Sequence, residues 1–110
     1  MKKVMVNPDQ NIFEVLGRPP DEAANLLIRS RLMGELKLYI IENKLSLRKA
    51  AALFDVAHPR ISDLMQGRID KFGIDYLVNL LAKIGKSVTV QVENKKDAPA
   101  ASPGVISRDV

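Results

Sequence analysis

Between Ser46 and Gly67 the chain carries two apolar faces that are each very short and lie only three residues apart. In the first, Leu47, Ala50, Ala51 and Phe54 recur at helical spacing behind Ser46, whose side-chain oxygen makes it a good N-cap. In the second, Ile61, Leu64 and Met65 fall at i, i+3 and i+4. Pro59 sits in the first turn of that segment, where a missing amide costs nothing, and Gly67 ends it. A helix of about eight residues is not stable alone in water. Two such helices, broken by Asp55-Val56-Ala57, must therefore hold each other and dock on a shared core. Small Ala50 and Ala51 permit a close crossing, and Val56 plugs the turn.

The flanking sequence supplies that core. A long helix is expected from Asp21, as N-cap after Pro19 and Pro20, to about Asn43, with Ile28, Leu32, Leu36 and Ile40 as its inward row and Gly34 as a place where it bends or splits. A last helix from Ile74 to Ile84 turns Leu77, Leu80, Leu81 and Ile84 inward and stops at Gly85. The fold class is all-α, a compact bundle of four or five helices. One segment departs from it: Val88, Val90 and Val92 alternate with Thr89, Gln91 and Glu93, the period of a half-buried β-strand. A lone strand leaves both edges unpaired. Its partner is Val4-Met5-Val6, Ile12-Phe13 or its own copy in a second subunit, and the second subunit is favoured because a two-fold axis solves the edge problem with one strand. The chain thus divides into a partly ordered lead (1–20), a domain (21–93) and a tail (94–110) whose Pro, Gly, Ala and Ser offer too little apolar surface to order it.

Composition removes several chemistries. With 110 residues there is room for one domain, and with no Cys and one His there is no thiolate or multi-histidine metal site. No cofactor is expected. Neither a membrane span nor a signal peptide is expected either, because the apolar runs are only a few residues long, so the expected location is cytoplasmic and nucleoid-associated. The net charge of +4 is modest as a total but uneven in place. Lys44 to Lys71 holds six basic residues against three acidic ones.

Two short helices joined by a three- or four-residue turn, the first Ala-rich and the second amphipathic, are the sequence form of a helix-turn-helix. The second helix leaves Pro59, Ser62, Asp63 and Gln66 outward, Arg60 on the flank and His58 at its exposed start. Such a face fits the major groove of DNA end first. Ser46, Arg48 and Lys71 are expected on phosphates, and His58, Pro59, Arg60, Ser62 and Gln66 at or near base edges. Asp63 either accepts from a cytosine amino group or pairs with Arg60, and the intramolecular pair is favoured.

The run from Ser46 to Gly67 resembles the Xre, or phage-repressor-like, helix-turn-helix, and the implied bundle is of the lambda-repressor-like type. The lead Asn11 to Gly17, the stretch Gly67 to Phe72 and the ending Leu77 to Val92 are similar to small Xre antitoxins of HigA type. The resemblance implies a homodimer that binds its own double-stranded DNA operator and represses transcription, and the expected strand of Val88, Val90 and Val92 would join its two copies. It also implies a partner, a ribonuclease toxin of the RelE/ParE kind. The chain departs from the family pattern in two places. Asp55 stands where Gly is usual, which calls for a positive φ on a residue with a Cβ. Ala57-His58 replaces the common Ser-Gln, removing a capping oxygen worth about 1 kcal/mol and a base reader.

Other classes explain the residues less well. His58, Ser62 and Asp63 are the types of a hydrolase triad, but they crowd one helix with no second element to orient them, so no enzyme is expected. Gly85-Lys86-Ser87 lacks the rest of a phosphate loop and reads as a helix end. The remaining alternatives are a toxin-neutralising module with weak DNA binding, using the long helix around Arg29, Arg31 and Lys37 or the lead around Phe13, and a free-standing Xre-type repressor.

Overall fold

A computed structural model describes residues 11–94. The long helix begins two residues earlier than expected. Pro19 is its N-cap and Pro20 its first residue, so Asp21 is not the cap. Proline needs no amide partner at that position, and Asp21 and Glu22 then sit in the first turn, against the positive end of the helix. Arg18 reaches forward to donate to Glu22, and that hydrogen bond holds the Glu22 carboxyl below its ordinary pKa.

Among the described residues five helices and a 3-10 turn come in this order: α1 (Ile12–Val15), α2 (Pro20–Glu42), α3 (Leu47–Phe54), α4 (His58–Met65), the 3-10 turn (Ile69–Lys71) and α5 (Ile74–Lys83). α2 runs through Gly34 as one helix and lies along α5, with α1, α4 and the 3-10 turn also against it. α3 crosses α4 and touches α5. The core is Leu32, Met33, Leu36 and Ile40 from α2, Ala50, Ala51 and Phe54 from α3, Ile61 and Leu64 from α4, Phe72, and Leu77, Leu80 and Leu81 from α5. Each large side chain among them contributes about 1.5–3 kcal/mol by leaving water. Ile28 is not part of it and stays 47% exposed. A row of every fourth residue advances about 40° per step around a helix. Ile28 has therefore rolled off the face that Leu26 and Met33 occupy.

All five helices close in the same way. An amide beyond the end reaches back five residues, at 3.0 Å in each case: Arg18 to Phe13, Leu45 to Ile40, Val56 to Ala51, Arg68 to Asp63 and Lys86 to Leu81. That closure needs a left-handed residue just before the donating amide. Gly17, Gly67 and Gly85 supply it at three ends, and Lys44 (φ 53°) and Asp55 (φ 57°) at the other two.

The expected strand at Val88, Val90 and Val92 is not formed: among the described residues there is no β-strand. One intrachain partner is used elsewhere, since Ile12 and Phe13 are helical in α1. The other, Val4 to Val6, lies outside the described residues, as does the tail beyond Asn94. Val88 packs against the core, but Val90 and Val92 are 81% and 89% exposed. No helix among the described residues is long and apolar enough to cross a membrane.

Candidate nucleic-acid interface

α3 is secured at both ends. The Ser46 hydroxyl oxygen accepts from the Lys49 amide at 3.1 Å, as an N-cap should. At the other end Asp55 takes the left-handed conformation, and Lys83 of α5 donates from Nζ to the Phe54 carbonyl at 2.7 Å. The cation there meets the negative end of the helix. Ala50 and Ala51 are buried at the crossing with α4, and Val56 is half-buried against the core. Arg48 is exposed on the first turn of α3.

α4 starts differently. Ala57 has the extended backbone of an N-cap but no side chain to bond with, and exposed His58 and Pro59 open the helix. Ile61 and Leu64 are buried, and Met65 packs beside them. On the opposite side a chain of hydrogen bonds runs along the surface: Gln66 donates from Nε2 to Ser62 Oγ at 3.0 Å, and Arg68 donates to Gln66 Oε1 at 2.7 Å. Arg68 also approaches Asp63 at 3.6 Å. Asp63 is therefore paired within the chain, but with Arg68 and not with Arg60. Left-handed Gly67 turns the backbone so that Arg68 comes back beside the last turn of α4.

Arg60 lies elsewhere. Its guanidinium carbon is 4.6 Å from the ring centres of both Phe72 and Tyr76, and its Nε donates to the Tyr76 hydroxyl at 3.4 Å. The two rings are 5.8 Å apart and tilted by 33°, so the cation rests across them in a notch. Lys71, at the end of the 3-10 turn, is exposed.

The structure thus brings Ser62, Gln66 and Arg68 into one network and leaves His58 and Pro59 open at the helix start. It sets Arg60 apart on the flank, and it places Ser46, Arg48 and Lys71 on neighbouring elements. Arg68, Phe72 and Tyr76 were not among the expected site residues. The signal for Arg68 was its position after a helix-ending glycine, and for the aromatic pair its four-residue spacing. Among the described residues no group of three His, Cys, Asp or Glu could hold a metal ion.

A short helix with a polar outer side, crossed on one face by an Ala-rich helix, defines a DNA-binding helix-turn-helix protein. The family follows from comparison of the sequence. Residues 19–93 match the model of a helix-turn-helix domain family, and the chain belongs to that family. The match takes in α2 through α5 and the irregular stretch after it. No curated protein matches the chain.

Proposed function

We propose that the protein is an operator-binding transcription regulator of Xre type, acting as a homodimer and serving as the antitoxin of a toxin–antitoxin pair. The observation that carries the DNA-binding part is the outward side of α4, where His58, Pro59, Ser62 and Gln66 lie off the core, on a motif that also exposes Arg48, Arg68 and Lys71. Polar side chains on the outer side of a short helix, with cations exposed on the same motif, match base edges lined by phosphates. In this reading the chain performs no catalysis. Ser46, Arg48 and Lys71 hold phosphates, and the free first turn of α4 enters the groove.

The dimer rests on a different observation. Val90 and Val92 are largely exposed on a stretch of alternating sequence, and pairing that stretch with its copy would satisfy the backbone of both and set the two valine rows side by side. A two-fold dimer would place its half-sites about one helical turn, roughly 34 Å, apart. The toxin partner rests on the resemblance to HigA-type antitoxins.

The test is binding of the full chain to DNA from upstream of its own gene and to a random-sequence duplex over a series of salt concentrations. The expected result is preference for the upstream DNA and weakening of both as salt rises. A folded protein that binds neither duplex would defeat the regulator reading. Light scattering on a chain ending at Lys86 checks the dimer, which should be lost, and a truncated chain that stays dimeric would remove the role of Val88, Val90 and Val92. Co-expression with the neighbouring open reading frame tests the antitoxin role, and failure to retain its product leaves a free-standing repressor.

A further inference from the structure

Arg60 is held in the motif by two aromatic rings and a hydroxyl, and nothing negative among the described residues answers it. The ion pairs among those residues are Arg18 with Glu22 and Arg68 with Asp63, and neither involves Arg60. One edge of its guanidinium is fixed by Nε on Tyr76 and one face by the two rings. Its two terminal nitrogens make no hydrogen bond to an acceptor among the described residues. A half-buried cation with two parallel donors left over suits an anion with two oxygens, as in the fork-to-fork pairing of Arg with phosphate.

Position decides between a base and the backbone. Ile61 and Leu64 mark the inner side of α4, and Pro59, Ser62 and Gln66 the outer side. Arg60 falls between, on the flank turned towards α5, where Tyr76 and the residue after the 3-10 turn, Phe72, receive it. When a helix lies in the major groove its outer side faces the base edges, and its flanks face the sugar–phosphate walls. We propose that Arg60 is a phosphate contact, not a base reader, and that Phe72 and Tyr76 are positioning residues that set its plane. The proposal rests on the DNA-binding reading above.

The experiment is salt-dependent binding of the full chain to a random-sequence duplex and to the DNA upstream of its gene, with thermal melting of each variant alongside. Arg60→Ala should weaken binding about 10-fold on both duplexes alike and lower the slope of log affinity against log salt by about one. Arg60→Lys, which keeps the charge and the apolar stem, should fold normally and keep that slope but bind a few-fold more weakly, because an ammonium lacks the planar fork. Tyr76→Phe retains the ring and removes the hydroxyl, and should likewise keep the slope while weakening binding to a lesser degree. A lower melting temperature for Arg60→Ala with affinity and slope unchanged would make Arg60 a structural bracket and overturn the proposal. A loss confined to the upstream DNA would overturn it in favour of base reading. Wild-type protein that binds neither duplex would instead overturn the DNA-binding reading, and this proposal with it.

Discussion

α3 and α4 have the same length and are neighbours in the chain, and both bury an apolar side and close on a left-handed residue, yet their first turns are held differently. α3 is fastened at its ends: Ser46 caps the start, and Asp55 and Lys83 close the finish. Its three consecutive alanines are strong helix formers. α4 has no side-chain cap, begins with His58 and Pro59, and is secured along its length by Ile61 and Leu64 and on its flank by Arg60. A helix fastened at the ends has its terminal groups occupied. One that lacks a side-chain cap keeps its first turn open to an outside partner, and α4 is that helix.

The largest test of this contrast is Leu64→Ala. Leu64 is fully buried, so its truncation should lower stability by about 2–5 kcal/mol. Hydrogen exchange should then show α4 losing protection before α3, and equal loss in both would refute the claim that α4 depends on its side. Next in size are two cap changes of opposite sign. Ser46→Ala should cost about 1 kcal/mol, and Ala57→Ser, placed on a backbone already extended for the role, should gain about 1 kcal/mol. Urea unfolding measures both, and no gain from Ala57→Ser would mean that the start of α4 is already satisfied. Smallest are the left-handed positions. Lys44→Gly should stabilise by about 0.5–1 kcal/mol, the relief of a Cβ clash less the greater freedom of glycine in the unfolded chain. Asp55→Gly should stay within about a few tenths of a kcal/mol, because Asp tolerates that conformation better than Lys. Equal gains at the two sites would show that the turn of the motif carries strain.

Much of the fold was legible in the sequence. The faces of α3, α4 and α5 were, because a short helix leaves its apolar spacing no distance over which to drift. α2 is longer, and there the four-residue row misplaced Ile28 and passed over Met33. The closures at Gly17, Gly67 and Gly85 fall at glycines, and that at Asp55 could be anticipated in the turn. Lys44 could not, because nothing in a lysine advertises a left-handed backbone. The strand was read from alternation alone, and alternation says which side of a strand is buried without saying whether an edge exists to pair with. In the site, Ser46, His58, Pro59, Ser62 and Gln66 stand where helical spacing put them. The partners of Arg60 and Asp63 did not follow from spacing, since they lie past the turn at Gly67 and come near only when the chain folds back on α4.

The notch formed by Phe72 and Tyr76 has a consequence beyond geometry. Arginine is among the side chains that lose most conformational freedom on being ordered, up to about 2 kcal/mol. In this protein that loss is taken during folding, when α5 closes on α4, and not at the moment of encounter. An anion arriving at Arg60 meets a group with little rotation left to surrender, so the association rate at that point depends on the approach of the anion and hardly at all on the search of the side chain.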